Sequence, residues 1–167
     1  MNKENILSKI SKMSEEELRD LARSTSDVET LNILAENENY KVRCTVAENK
    51  DTPKEALAVL ARDEDYWVRC TAAGNINTPV ELLSVLAKDK FRKVRLGVVG
   101  NKNAPADVLA ELAKDVDVDV RYAVAENKNT SVETLVFLSK DNNEWVSKVA
   151  NDALKERKEK RKASMER

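Results

Sequence analysis

The sequence predicts an all-α solenoid, in which five two-helix repeats of 26 residues stack between helical caps. The first observation is repetition: the stretch TPKEALAVLARDEDYWVR of residues 52–69 recurs in steps of 26 residues without insertion. The second is composition, because 41% hydrophobic and 35% charged residues with only three glycines and three prolines are typical of helical proteins. The third is the helical i, i+3, i+4 spacing of leucine and alanine within each copy.

Unbroken repetition predicts a single repeat domain over residues 1–167. We expect an N-terminal helical cap over residues 1–25, five repeats over residues 26–151 and a charged C-terminal helical tail over residues 152–167. Within the N-terminal cap, Ser14 and Glu17 have the spacing of a capping box and predict a helix start. The tail DALKERKEKRKASMER has an excess of cations, which fits either a solvated end or a contact with an acidic protein or nucleic acid.

Each repeat is predicted to open its first helix with a capping box. The hydroxyl and glutamate pairs are Ser26 with Glu29, Thr52 with Glu55, Thr78 with Glu81 and Thr130 with Glu133. Pro53, Pro79 and Pro105 would then occupy the first helical position, where a missing N–H costs nothing.

The first helix of each repeat carries the predicted core. The expected buried leucines are Leu31, Leu34, Leu57, Leu60, Leu83, Leu86, Leu109, Leu112, Leu135 and Leu138. A second, shorter helix follows and buries valine and alanine. We expect it to end in a left-handed residue at Asn49, Asn75, Asn101 and Asn127, since asparagine tolerates that conformation.

An aspartate precedes an arginine by six residues in the central repeats. The predicted members of this set are Asp63, Arg69, Asp89, Arg95, Asp115 and Arg121. One interpretation is a row of arginines that awaits an anion; the other, which we favour, is a structural ladder along the solenoid. Asn37 and Ser147 replace the aspartate and the arginine in the end repeats, where the ladder is expected to stop.

The repeated pattern TPxELLxxLAxDxxxxVRxxVAxN over residues 26–151 resembles the leucine-rich repeat variant family. The spacing of aspartate and arginine is also similar to that of HEAT repeats, so the chain is expected to be a HEAT-like alpha-helical repeat protein. The resemblance implies a right-handed superhelix whose shorter helix is partly 3₁₀. The iron–sulfur segment of the founding family member has no counterpart here, so no cluster is expected.

Catalytic and cofactor functions find little support in the composition. The chain has no histidine and two cysteines, which is too few ligands for a zinc or iron–sulfur site, and no cofactor is expected. Cys44 and Cys70 are one repeat apart, and packed helices are farther apart than a disulfide allows, so we expect free thiols. The net charge of −1 and the lack of a long apolar run favour a cytoplasmic protein that binds neither nucleic acid nor membrane.

The best functional signal is the variable outer side of the second helices. The candidate partner-binding residues are Lys41, Cys44, Trp67, Cys70, Lys93, Leu96, Asp119, Tyr122 and Trp145. They predict a monomeric, non-enzymatic scaffold for a protein or peptide; the aromatic side chains could instead only pack over the connections. The alternatives are a HEAT-like nucleic-acid-binding or DNA-repair protein, and a helper that handles a small cofactor, as HEAT-like bilin lyases do.

Overall fold

A computed structural model describes residues 3–165, and all its regular secondary structure in that range is helical. The chain forms two compact units, and the boundary in the sequence falls between Asn101 and Lys102. We call them the N-terminal and the C-terminal unit. Within residues 3–165, no helix combines the length and the apolar composition that a membrane crossing requires. The predicted all-α helical-repeat fold is confirmed.

Eight helices form the described part of the N-terminal unit: α1 (Lys3–Ile10), α2 (Glu15–Ser24), α3 (Val28–Leu34), α4 (Tyr40–Glu48), α5 (Lys54–Leu60), α6 (Tyr66–Gly74), α7 (Val80–Leu86) and α8 (Arg92–Gly100). Four helices form the described part of the C-terminal unit: α9 (Ala106–Leu112), α10 (Val118–Glu126), α11 (Val132–Leu138) and α12 (Glu144–Met165).

The second helix of each repeat is the longer one. The first helix α5 has seven residues, whereas the second helix α6 has nine. The prediction of a shorter second helix was therefore wrong, and α4, α6, α8 and α10 are α-helical throughout. Two full turns on the second helix provide the outward positions on which the candidate site depends.

The predicted rows of leucines are confirmed as the core. The first leucine of each pair is fully buried: Leu31, Leu57, Leu83, Leu109 and Leu135. The leucine three residues later is at most 2% exposed in every repeat. The second helices contribute Val42, Val68, Val94, Val120 and Val146 to the same layers. Each buried leucine stabilises the fold by about 1.5–3 kcal/mol relative to an exposed one.

The threonines that were expected to cap the first helices do something else. The hydroxyl of Thr52 donates to the carbonyl of Val46 at 2.5 Å, and the hydroxyl of Thr78 donates to that of Ala72 at 2.5 Å. These side chains therefore close the end of the preceding helix. Helix α5 begins after Pro53 without a side-chain cap.

Two other cap predictions were also wrong, because the residue after the expected one supplies the cap. Asp27 caps α3 and Ser131 caps α11. The capping box of Ser14 and Glu17 is confirmed at the start of α2.

The asparagines at the ends of the second helices are extended and not left-handed. Asn49 has φ −67° and ψ 127°, Asn75 has φ −69° and ψ 131°, and Asn101 and Asn127 are similar. No residue in the described range has a positive φ. The side chains of these asparagines explain why the residue type recurs, as the next section describes.

Candidate partner-binding surface

Arginine and aspartate side chains pair between neighbouring repeats within each unit. Arg43 Nε donates to Asp63 at 2.6 Å, and Arg69 Nε donates to Asp89 at 2.6 Å. In the C-terminal unit, Arg121 Nε donates to Asp141 at 2.7 Å. In each pair a second guanidinium nitrogen bonds the other carboxylate oxygen, so the contact is bidentate and the side chains are largely shielded from water.

The same arginines also bind their own repeat. Arg69 Nη1 donates to the backbone carbonyls of Asp63 and Glu64 at 2.7 and 2.9 Å. The six-residue spacing thus brings the guanidinium of Arg69 to the backbone carbonyl of Asp63 in the same repeat. The carboxylate that pairs with it belongs to Asp89 in the next repeat, 20 residues later in the chain. For this reason Arg43 and Asp141 take part in pairs, although the ladder was expected to stop in their repeats.

These arginines are engaged with protein groups, which removes the geometric basis for a row of anion sites at Arg43, Arg69 and Arg121. Arg95 follows the same backbone pattern, since its Nη1 donates to the carbonyls of Asp89 and Lys90. The guanidinium of Arg121 holds the pKa of the Asp141 carboxyl below its usual range, against the opposing effect of burial.

The sequence analysis missed a second network, which we call the asparagine ladder. Asn75 Nδ2 donates to the carbonyls of Ala47 and Asn49 in the preceding repeat, at 2.7 and 2.9 Å. Asn75 Oδ1 accepts from the backbone amide of Asn77 at 2.8 Å. Asn49 and Asn101 make equivalent bonds to their preceding neighbours. The ladder satisfies buried carbonyls at the helix ends and ties the three repeats of the N-terminal unit to the elements before them.

The two cysteines are free and half-buried. Burial raises the pKa of the Cys44 thiol to about 11, and burial also raises the pKa of Cys70. The thiol of Cys70 donates a hydrogen bond to the carbonyl oxygen of Lys93, with 3.1 Å between sulfur and oxygen. Both side chains are therefore protonated at neutral pH, which is unfavourable for a nucleophile. Within residues 3–165, no three metal-binding side chains come together.

The candidate residues of the N-terminal unit divide by exposure. Lys41, Trp67 and Lys93 are exposed, whereas Cys44, Cys70 and Leu96 are half-buried between the second helices. Lys41 Nζ lies 3.3 Å from a carboxylate oxygen of Glu15, so the first of these candidate residues already takes part in an ion pair. Tyr40 on α4 and Trp67 on α6 are exposed aromatic residues, at 41% and 43%.

Trp67 belongs to an aromatic–cation cluster, which we define as Tyr66, Trp67, Lys90, Phe91 and Lys93. The rings of Tyr66 and Phe91 stack with centroids 4.7 Å apart, and Tyr66 and Trp67 are 4.9 Å apart. Lys93 Nζ lies 4.0 Å from the Trp67 centroid, and Lys90 Nζ lies 5.2 Å from that of Phe91. Both distances are in the range of cation–π contacts.

Phe91 occupies a position that elsewhere caps a helix. The corresponding Asn39, Asp65, Asp117 and Asn143 each accept a bond from the amide two residues ahead. Phe91 leaves the start of α8 without a side-chain cap. The departure was visible in the sequence, but the stacking on Tyr66 was not, because the two residues are far apart along the chain.

The candidates of the C-terminal unit lie on α10 and α12. Asp119 is exposed and Tyr122 is half-buried. A hydrogen bond with Glu126 raises the pKa of the Tyr122 hydroxyl. Trp145 near the start of α12 is 62% exposed, so its ring is not packed over the connection as the alternative interpretation required.

The fold and these networks define a helical-repeat protein. The family described as leucine rich repeat variant matches residues 40–65, a stretch of one repeat period. A solved structure described as a leucine-rich repeat variant with a novel repetitive structural motif is similar over 92% of this chain, with 27% identity and a TM-score of 0.71. The predicted resemblance to this family is confirmed.

The chain spans 62% of the length of that solved protein. The crystal structure of an engineered protein is similar in fold, with 18% identity, a TM-score of 0.51 and coverage of 93% of this chain and 96% of the other. No curated protein sequence matches the chain.

Proposed function

We propose that the chain is a non-catalytic scaffold that binds a protein or peptide on the outer side of its second helices. The observation that carries the proposal is the exposure of large aromatic rings there. Trp67, Phe91 and Trp145 are 43%, 38% and 62% exposed, although burial of each would have stabilised the fold. Exposed aromatic side chains are the residues that most often dominate protein interfaces.

The frame beneath this surface supports the proposal. The arginine–aspartate pairs and the asparagine ladder fix the second helices relative to their neighbours within each unit. Side chains on such a frame lose little backbone freedom when a partner binds, which favours affinity.

A nucleic acid fits this surface less well. Glu48, Asp119 and Glu126 are exposed on the same helices as the candidate residues. A polyanion favours a continuous positive surface, whereas alternating charges suit a polypeptide. The half-buried thiols of Cys44 and Cys70 are protonated at neutral pH, which is unfavourable for nucleophilic catalysis by these residues.

The test is a capture experiment from the native host with the immobilised chain, followed by mass spectrometry. We expect Trp67→Ala combined with Tyr122→Ala to abolish capture of the partner while helicity by circular dichroism is unchanged. The matched control is Val59→Ala combined with Val85→Ala, which removes exposed apolar groups from first helices. Equal loss in both double variants, or binding to DNA with a steep salt dependence, would contradict the proposal.

A further inference from the structure

Lys90, Phe91 and Lys93 of the aromatic–cation cluster lie in a strongly basic stretch of the N-terminal unit. Residues 88–95, with the sequence KDKFRKVR, contain five cationic side chains and one carboxylate. The carboxylate is Asp89, and its charge is already paired with Arg69. The stretch therefore presents a local positive charge on a chain whose formal net charge is −1.

The cations and the rings form one surface and not two. Lys93 Nζ lies against the ring of Trp67, and Lys90 Nζ lies against the ring of Phe91. An anion bound to either ammonium group is thereby placed next to an exposed aromatic ring. A ligand that carries both a carboxylate and a large apolar side chain can use both contacts at once.

Residue 91 is a phenylalanine at a helix start, where a polar capping residue is expected. Asparagine or aspartate supplies a cap at this position in the other four repeats. Phenylalanine forgoes that cap and leaves its ring 38% exposed. The ring also stacks on Tyr66 and lies 5.7 Å from the guanidinium carbon of Arg69, and the part that stays exposed is available to a ligand.

We propose that the aromatic–cation cluster binds an acidic peptide segment that contains an aromatic or large aliphatic side chain. The apolar side chain contacts Phe91 and Trp67, and flanking carboxylates bind Lys90 and Lys93. The centroid distances of 4.7 and 4.9 Å limit the cluster to a short segment. This inference rests on the proposed scaffold function and names the class of its partner.

A peptide fits better than a nucleic acid because the positive surface is confined. Exposed Glu64 and the half-buried Asp65 lie in the preceding turn, and Asp65 caps the helix on which Trp67 lies. A nucleic-acid backbone would need cations in a continuous track, with stacking rings along it. A short acidic segment needs only the cluster itself.

The test uses Trp67 as its own reporter. The chain has two tryptophans, so Trp145→Phe leaves Trp67 as the one fluorescent indole. The probe is a synthetic peptide in which glutamate alternates with phenylalanine. Its controls carry glutamine in place of glutamate, or serine in place of phenylalanine. We expect only the parent peptide to change the fluorescence, with an affinity that falls as salt rises.

Two variants of Phe91 separate binding from folding. Phe91→Asn restores the cap of the other repeats and removes the stacking on Tyr66, two opposite effects on stability, so the chain should stay folded while affinity for the peptide falls about tenfold or more. Phe91→Asp restores the same cap and adds a negative charge, and it should weaken binding further. Lys90→Gln combined with Lys93→Gln should weaken binding and flatten its salt dependence.

The possible results are distinguishable. No response to the parent peptide, equal affinity for its glutamine version, or tighter binding of oligothymidylate would overturn the inference. If Trp67→Ala combined with Tyr122→Ala abolishes partner capture but the variants of Phe91 and the lysines keep it, the scaffold function stands and the acidic-peptide inference fails.

Discussion

The asparagine ladder predicts that a substitution at Asn75 lowers the free energy of unfolding. Replacement of Asn75 by aspartate keeps the shape of the side chain but removes the two bonds that Nδ2 donates to Ala47 and Asn49. Asn75 is only 7% exposed, so water cannot replace the lost donor. The carbonyl of Asn49 keeps the hydrogen bond from the backbone amide of Thr52, so the cost falls on the carbonyl of Ala47 and is about 1–3 kcal/mol.

The carboxylate adds a second, pH-dependent effect. Two carbonyl oxygens lie where the introduced charge would be, so the folded state should raise the pKa of the new aspartate above its usual value of about 4. Destabilisation from this charge is present at neutral pH, where the group is ionised in both states. It diminishes as the pH falls through the folded pKa, because the neutral acid can donate a hydrogen bond.

The assay is chemical denaturation followed by circular dichroism at neutral and at mildly acidic pH. Asn77→Asp is the matched control, since Asn77 is exposed and makes one side-chain donation, to the carbonyl of Lys50. We expect the control to cost about 1 kcal/mol or less. If Asn75→Asp were no more costly than Asn77→Asp, the ladder would have no energetic role.

Two further predictions concern packing and acid stability. A Cβ on Gly97 would lie 2.7 Å from the carbonyl oxygen of Cys70, so Gly97→Ala should cost about 1–3 kcal/mol in chemical denaturation. Gly74→Ala is the control, since nothing lies within 4 Å of its added Cβ, and an equal loss there would contradict the close-approach argument. The pKa of Asp141 is lowered by the hydrogen bond from Arg121, so this pair stabilises the fold above the usual carboxyl pKa and is lost on acidification. Asp141→Asn should therefore reduce the melting temperature at neutral pH and lessen its fall below about pH 5, which thermal melts across pH would check.

The helical repeat was predictable because it depends on periodic signals. Leu57 and Leu60 are buried for the same reason that their spacing suggests, since one helix face meets the neighbouring repeats. The role of Thr52 was misassigned because its spacing to Glu55 fits a capping box. Its hydroxyl instead lies beside the carbonyl of Val46 at the end of the preceding helix, where a buried acceptor needs a donor.

The candidate surface was only partly predictable. The outward position of Trp67 follows from helix geometry, and its exposure agrees with that placement. The stacking of Tyr66 on Phe91 requires knowledge of how α6 and α8 lie beside one another. The same limit applies to Asn75, because its residue type indicates a helix end but not a donor to the carbonyl of Ala47.

The Nδ2 groups of Asn49, Asn75 and Asn101 donate to carbonyls that lie earlier in the chain. Asn49 donates to Ala22 and Thr25, Asn75 donates to Ala47 and Asn49, and Asn101 donates to Ala73 and Asn75. During synthesis on the ribosome, each asparagine thus emerges after its acceptors have already left the exit tunnel. A newly made repeat of this unit can complete these contacts at once, without waiting for any residue still to be translated.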